Sequence, residues 1–459
     1  MKHLRQSFNS TTEEAITPID GRYRNKVQEL APFFSEYALQ KYRIFVELQY
    51  LQELSIKGII PKMAKSEIAS MNRIVDQFSP DEFKGVKKIE LKIIHDVKAV
   101  EYYLREKFLT LNLKKYLPYI HIGLTSEDVS NLAQVLILND ANKQILVPLL
   151  KELLLDLKVL AESTKNIPIL GRTHGQPAVP TTFGKEIINY YHRLKKQVRK
   201  IEIFEFEGKC NGAVGNFNAL EFIYRKVDWV AFSNQFVASL GLTSNPATTQ
   251  ILPYDNWIEF FQILTLVNGI LVDFSTNVWL YIMLEILVQK KNTNEVGSST
   301  MPQKVNPINF ENAEGALQVA NAQYELYARK LPVSRLQRDL SDSIVRRTFG
   351  NAIAYTVLGW KSVMAGLKKI SLNKEKVKKE LDDHWEVLAE ALQTYLRSTG
   401  DEKAYEKLKK LTQGKIMTKE RYKTILKELG LEKDKKFTDL SPEKYVGLAE
   451  KLVEIVIKN

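Results

Sequence analysis

Apolar residues recur along almost the whole chain at three- and four-residue steps. Tyr37, Ile44, Leu48 and Leu51 fall on one helical face. Leu146, Leu150, Leu153, Leu157 and Leu160 form a heptad-like stripe that predicts packing against partner helices. Stripes of this kind are core positions and imply no chemistry. Segments near 183–208, 257–290, 308–330 and 344–370 also predict long helices. No stretch alternates cleanly enough to build a large sheet, and no internal repeat or low-complexity linker interrupts the pattern. The pattern therefore predicts an all-α protein. Its most apolar segment, Trp257 to Val288, is divided by Glu259, Asp273 and Glu285 into pieces shorter than the ~18 apolar residues a membrane span needs. A helix apolar on every side yet dotted with acids fits the centre of a large bundle.

The breaks in the pattern fall at informative places. Gly123 through Asp128 predicts a turn and a helix start, with Thr125 or Ser126 as the N-cap and Glu127 and Asp128 in the first turn. Pro168 to Pro180 reads as a Gly/Pro-rich loop between two helices. Gly297 to Pro307 reads as a polar loop after the most apolar helix. The tail beyond about residue 366 is richer in Lys and Glu and predicts a smaller helical domain.

Composition sharpens this picture. The chain of 459 residues is 44% hydrophobic and 26% charged, which fits a globular protein and excludes a disordered one. Its 21 Gly and 15 Pro make about 8% of the chain against a usual ~12%, which favours long helices over many short strands. The formal charge of +12 favours anionic partners: nucleic acid, acidic lipid, or phosphorylated and polycarboxylate substrates. The excess is mostly Lys and scattered, as at Lys195, Lys196, Lys433, Lys435 and Lys436, which reads as a solvated surface and not a nucleic-acid stripe. One cysteine, Cys210, allows no intramolecular disulfide and no Cys-rich zinc site, and suits a reducing compartment. Met1 to Asp20 is polar, so no secretory signal is expected, and Glu13 and Glu14 argue against a transit peptide. A cytoplasmic protein is the expectation.

Three segments carry candidate chemistry. The loop Gly297-Ser298-Ser299-Thr300-Met301-Pro302-Gln303-Lys304-Val305-Asn306-Pro307 joins a flexible start to a Lys, an Asn and two prolines. Such loops close over substrates. Lys304 and Asn306 suit a developing oxyanion, and Ser298 or Ser299 a nucleophile or base. The plainer alternative is an interhelical connection with a capping Ser. His174 stands in flexible backbone beside Gly175, a better place for an acid–base group than an apolar helix. The chain has six His in all, His3, His95, His121, His174, His192 and His384, and no HExxH or other tight His/carboxylate cluster, so no metal is expected. Arg338, Ser343 and Arg347 lie in RDLSDSIVRR, where Ser343 and Arg347 share a helical face and suit a phosphate. An Arg-Asp surface network is the alternative. No GxGxxG, P-loop or GxSxG motif is present.

The loop GSSTMPQKVNP resembles the signature of the fumarase/aspartase superfamily. Thr17 to Tyr23 (TPIDGRY), His95 to Tyr102 (HDVKAVEY) and Arg172 to Ala178 (RTHGQPA) narrow the likeness to the adenylosuccinate lyase family, most of all its longer bacterial-type subgroup. Lys330 to Arg347 and Asp382 to Glu390 look like that family too. The resemblance implies a helical protein in three parts: 1–112, a central long-helix bundle over 113–365, and 366–459. It implies a homotetramer with each active site built from three subunits, and no cofactor. It implies two eliminations of fumarate, from adenylosuccinate to give AMP and from the succinylated imidazole carboxamide ribotide (SAICAR) to give AICAR.

Residue roles follow from the same resemblance. Ser298 is the expected base and His174 the expected acid. Lys304 and Asn306 would hold the carboxylates of the fumaryl part. Arg22, Tyr23, Arg338, Ser343 and Arg347 would hold the nucleotide, mainly its phosphate. Thr125, Ser126 and Gln250 would contact the succinyl or nucleotide portion, and Asn312 the substrate. His95 and Asp96 would line the site, His121 would lie near it, and Glu311 would orient His174.

Two departures from the family stand out. Lys92-Ile93-Ile94 replaces a common Thr-Thr-Asn run before His95, and Gln303 stands where His is common. Neither removes a proposed acid, base or lid residue. Three rivals remain. Argininosuccinate lyase shares the loop but not the HDVKAVEY and RTHGQPA pairing. A basic helical scaffold for nucleic acid would bind with steep salt dependence and ignore Ser298. A crystallin-like relative without activity is opposed by the intact His174, Ser298, Lys304 and Asn306. Small-molecule nucleotides are thus the expected partners, with neither nucleic acid nor membrane.

Overall fold

The computed structural model describes residues 14–290, 301, 304–412 and 417–458. Ser298, Ser299 and Gln303 lie outside the described residues. Among those described, helices dominate and strands form only three two-stranded pairs, so the protein is all-α as the periodicity predicts. The predicted helix at 308–330 runs Ile308–Lys330, and the other three run Phe183–Glu202, Asp255–Met283 and Phe349–Leu367.

Two corrections concern what joins the helices. Pro168 to Pro180 is not an irregular loop. Pro168–Thr173 and Gln176–Thr182 pair as an antiparallel hairpin around His174-Gly175. Both turn residues have positive φ, 52° and 74°, the requirement of a tight hairpin turn that Gly175 meets at little cost. The segment after Met283 is not helical either: Leu287–Gln289 pairs antiparallel with Ile370–Leu372. These extended pieces are too short for periodicity to register.

The chain divides into two compact units. One comprises 1–149, 198–268 and 316–359. Here Ser35, in extended backbone, accepts the Ala38 N–H at 3.1 Å and starts the helix Glu36–Ile56. Ile44, Leu48, Leu51 and Leu54 are buried, worth about 1.5–3 kcal/mol of transfer free energy each. This helix packs on Ser126–Ala141, most of whose residues are buried. Rings of Trp257, Phe261, Tyr324, Tyr327 and Phe349 pack edge to face, tilted or stacked in the same unit.

The other unit comprises 150–197, 269–315 and 360–459. It holds the hairpin and the Leu150, Leu153 and Leu157 stripe, all buried. The tail has its own apolar core around Trp385, Leu388, Leu392, Tyr422, Ile425 and Phe437.

The helix Asp255–Met283 is long and apolar enough to cross a membrane by length and composition, so its acids do not interrupt it as the sequence suggested. Yet 56% of its most apolar window is buried inside the protein, as a bundle helix would be. Leu266, Trp279, Leu280 and Met283 on this helix, and Val319 and Leu326 on Ile308–Lys330, remain exposed.

Candidate active site

A cleft of about 250 Å³ opens in the first unit. Its walls include His95, Asp96, Thr125, Ser126, Gln250, Arg338, Ser343 and Arg347, residues drawn from four separate stretches of sequence. Arg43, Glu127, Ser130, Gln134 and Arg346 complete the polar lining.

Each wall has a local cause. His95 is the N-cap of the helix Asp96–Thr110, and its Nδ1 accepts the Lys98 N–H at 3.1 Å. A neutral imidazole held this way carries its proton on Nε2. Ile94, just before it, ends the preceding helix with φ of 56° while 90% exposed. Left-handed backbone is strained for a β-branched residue. Where the family's polar run would stand, this chain thus turns a bare aliphatic side chain outward.

Asp96 faces Arg43 at 2.9 Å and Arg347 at 3.5 Å. Burial raises its carboxyl, but Arg43, the Val97 N–H and then Arg347 together outweigh burial and hold it below the usual carboxylate range. It therefore stays ionised through neutral pH. Burial lowers Arg43 in turn, only partly opposed by Asp96.

The Thr125–Ser126 corner is fixed from beneath. Thr125 is the N-cap of Ser126–Ala141, and its N–H donates to Asp128 at 2.9 Å. Asp128 also accepts the N–H groups of Asn211 and Gly212, both at 3.1 Å, and pairs with Lys209 at 3.0 Å. Lys209 spends its other protons on the carbonyls of Gly212 and Gln250, at 3.0 and 2.7 Å. One wholly buried ion pair thus ties Thr125 to Gln250 across the cleft.

The far wall is a charge cluster. Arg346 grips Glu127 through both terminal nitrogens at 2.7 and 3.1 Å, and Arg338 reaches the same carboxylate at 2.9 Å. Asp342 pairs with Arg346 at 3.1 Å and accepts the Tyr254 hydroxyl. Asp339 instead bonds Ser341 and the Arg335 backbone. The sequence alternatives for this segment therefore both occur, side by side: Asp339 forms the surface network and Arg338 faces the cleft. Ser343 and Arg347 share a face as predicted, and both line the cleft. Four guanidiniums against two carboxylates leave the lining net positive, which suits a multiply anionic ligand.

Other candidates lie elsewhere. Arg22 stacks on its neighbour Tyr23, 5.9 Å from the ring centre, and neither lines this cleft. Asp20 and Arg24 beside them line a second cavity, of about 580 Å³, that shares Arg347. His121, with φ of 62°, bonds buried Glu47 at 2.5 Å. Burial lowers its imidazole, but Glu47, with Glu101 and Asp128 behind it, raises it above the ordinary value. In the second unit His174 sits exposed at the hairpin tip, with Arg172 behind it donating to Glu380 at 3.1 Å. Lys304 is exposed and its N–H donates to the Met301 carbonyl at 3.0 Å, while Asn306 is half-buried. Glu311 and Asn312 are exposed at the start of Ile308–Lys330, where Glu311 accepts the Trp279 indole N–H at 3.2 Å. Ser298 lies outside the described residues.

Sequence reasoning missed Arg43, Glu127 and Arg346 as parts of the cleft. A signal existed for Arg43: with Gln40 and Glu47 it places polar groups on the buried face of an apolar helix. Glu127 and Arg346 look like ordinary helix-end charges until they are seen to meet.

Comparison with known proteins adds an independent line. Residues 21–321 match the lyase family, and 334–446 match the adenylosuccinate lyase C-terminal family. An adenylosuccinate lyase of Escherichia coli (strain K12) is 45% identical over 446 residues, covering 96% of this chain and 98% of that protein. One from Buchnera aphidicola subsp. Baizongia pistaciae is 44% identical over 446 residues, covering 96% and 97%. Among solved structures, the 3-carboxy-cis,cis-muconate lactonizing enzyme of Pseudomonas putida shares the fold with a TM-score of 0.78 at 20% identity, covering 94% of this chain and 96% of that one.

Proposed function

This chain belongs to the adenylosuccinate lyase family, and from that premise we propose that it eliminates fumarate from adenylosuccinate to give AMP, and from SAICAR to give AICAR. The cleft lined by His95, Asp96, Thr125, Ser126, Gln250, Arg338, Ser343 and Arg347 carries the proposal. Its surplus of guanidiniums matches a substrate bearing a phosphate and two carboxylates.

The elimination needs three things. A base takes the proton from the carbon beside a carboxylate; we assign it to Ser298. Cations and hydrogen-bond donors stabilise the resulting aci-carboxylate; we assign them to Lys304 and Asn306. An acid protonates the nitrogen as its bond to carbon breaks and fumarate leaves; we assign it to His174, which the hairpin turn presents at an exposed tip. A serine alcohol is a weak base in water, so the reaction requires a site closed to solvent with cations nearby. The nucleotide phosphate is assigned to Arg338, Ser343 and Arg347, with Arg22 and Tyr23 contributing. A homotetramer in the cytoplasm, with sites shared among subunits, is part of the same proposal. The apolar side chains left exposed on Asp255–Met283 and Ile308–Lys330 support association of those helices with further copies.

The test is fumarate release from adenylosuccinate, followed by absorbance, for the wild type and Ser298→Ala. Release by the wild type alone supports both reaction and base. Release by both moves the base elsewhere. Silence from both, in a folded protein, sinks the proposal and turns attention to argininosuccinate.

A further inference from the structure

Arg338 and Arg346 share one carboxylate but hold it differently. Arg346 is almost fully buried, grips Glu127 through two nitrogens, takes Asp342 as a second anion and donates to the Gln134 amide oxygen at 2.8 Å. Arg338 is one-fifth exposed and touches Glu127 Oε2 with one nitrogen at 2.9 Å, without the alignment of a hydrogen bond. Glu127 is the only carboxylate within ion-pair distance of Arg338 among the described residues. One arginine is therefore locked to Glu127, and the other is parked on it.

We infer that Glu127 is a specificity-determining residue: an internal anion that occupies Arg338 and yields it only to a phosphate group. The inference rests on the proposal that Arg338 binds the nucleotide phosphate. The exchange does not leave Glu127 unpaired. When Arg338 swings to the ligand, Arg346 still grips Glu127 and still holds Asp342, to which the Tyr254 hydroxyl donates. Two carboxylates then share one guanidinium, and the extra negative charge is part of what the ligand must overcome. A phosphate dianion outcompetes a misaligned carboxylate oxygen because it accepts two parallel, charge-assisted N–H bonds from one guanidinium. A weaker acceptor does not displace Glu127. The same competition loosens the phosphate-bearing product, so Glu127 raises selectivity and hastens release while weakening binding overall.

The experiment measures competitive inhibition of fumarate release by AMP in the wild type, Glu127→Gln, Glu127→Asp, Arg338→Met and the double variant Glu127→Gln/Arg338→Met. Arg338→Met must first weaken AMP; an unchanged inhibition constant there, or an inactive wild type, refutes the functional proposal itself. Given that weakening, Glu127→Gln is expected to tighten AMP about tenfold, the value of one charge-assisted bond no longer opposed, and to lower KM without raising kcat. The gain must vanish in the double variant. Glu127→Asp keeps a charge for Arg346 but is one methylene too short to reach Arg338, so it shifts AMP the same way if the Gln variant does not fold. Unchanged or weaker AMP inhibition in a folded Glu127 variant overturns the inference, as does a gain that persists without Arg338. So does failure of both Glu127 variants to assemble, which would make Glu127 a fixed structural partner of Arg346.

Discussion

Replacing Lys209 by Met probes the buried pair beneath the cleft. Lys209 and Asp128 are both fully buried, 3.0 Å apart. Removing one partner of such a pair typically costs about 3–5 kcal/mol, because the remaining charge is left in a medium that solvates it poorly. Asp128 keeps the N–H groups of Thr125, Asn211 and Gly212, which favours the lower end. The carbonyls of Gly212 and Gln250 each lose a donor, worth about 1 kcal/mol apiece. A total of about 5 kcal/mol follows. Unfolding entropy for 459 residues is roughly 1 kcal/mol/K, so the melting midpoint should fall about 5 °C if the protomer unfolds as one unit. Calorimetry at fixed protomer concentration measures this, since association shifts midpoints too. Asp128→Asn in the same chain should recover part of the loss, with a coupling of about 2 kcal/mol in the double-mutant cycle. A drop below about 1 °C, or strictly additive variants, would refute the view that this ion pair anchors the site.

Other outcomes are as checkable. His174→Gln should lower kcat by about 10²–10⁴-fold while leaving the melting midpoint unchanged, because the side chain is exposed at a hairpin tip. His121, raised by Glu47 with Glu101 and Asp128 beyond, contributes stability in full below its ordinary value of 6.5 and loses it as pH climbs through the raised one. The stability gap between wild type and His121→Gln, followed by urea unfolding from pH 6 upward, should therefore shrink as pH rises; a gap that widens would reverse the assignment. Ile94→Gly should stabilise by about 1 kcal/mol, since φ of 56° suits glycine and a 90% exposed side chain gives up almost no burial. A lower midpoint would show that Ile94 makes a contact in the assembled protein.

Much of the fold was legible because helical periodicity is a local signal. Leu150, Leu153 and Leu157 read as core and are core. Thr125 followed by Glu127 and Asp128 read as a helix start and is one. The hairpin at 168–182 escaped because its strands are short and its turn places a histidine at positive φ, where glycine or asparagine would have announced it.

For the cleft, the sequence by itself determined the residue types and their family-like order: His95-Asp96, Thr125-Ser126, and Arg338 with Ser343 and Arg347. Only the tertiary structure decided which charges meet. Glu127 and Arg346 stand 219 positions apart, and Lys209 lies 41 positions from the Gln250 carbonyl it holds. A charged residue on a helix has the same local pattern whether it faces water or a buried partner. Its role is set by what packs against it, because desolvation and pairing depend on distance in space and not on separation along the chain.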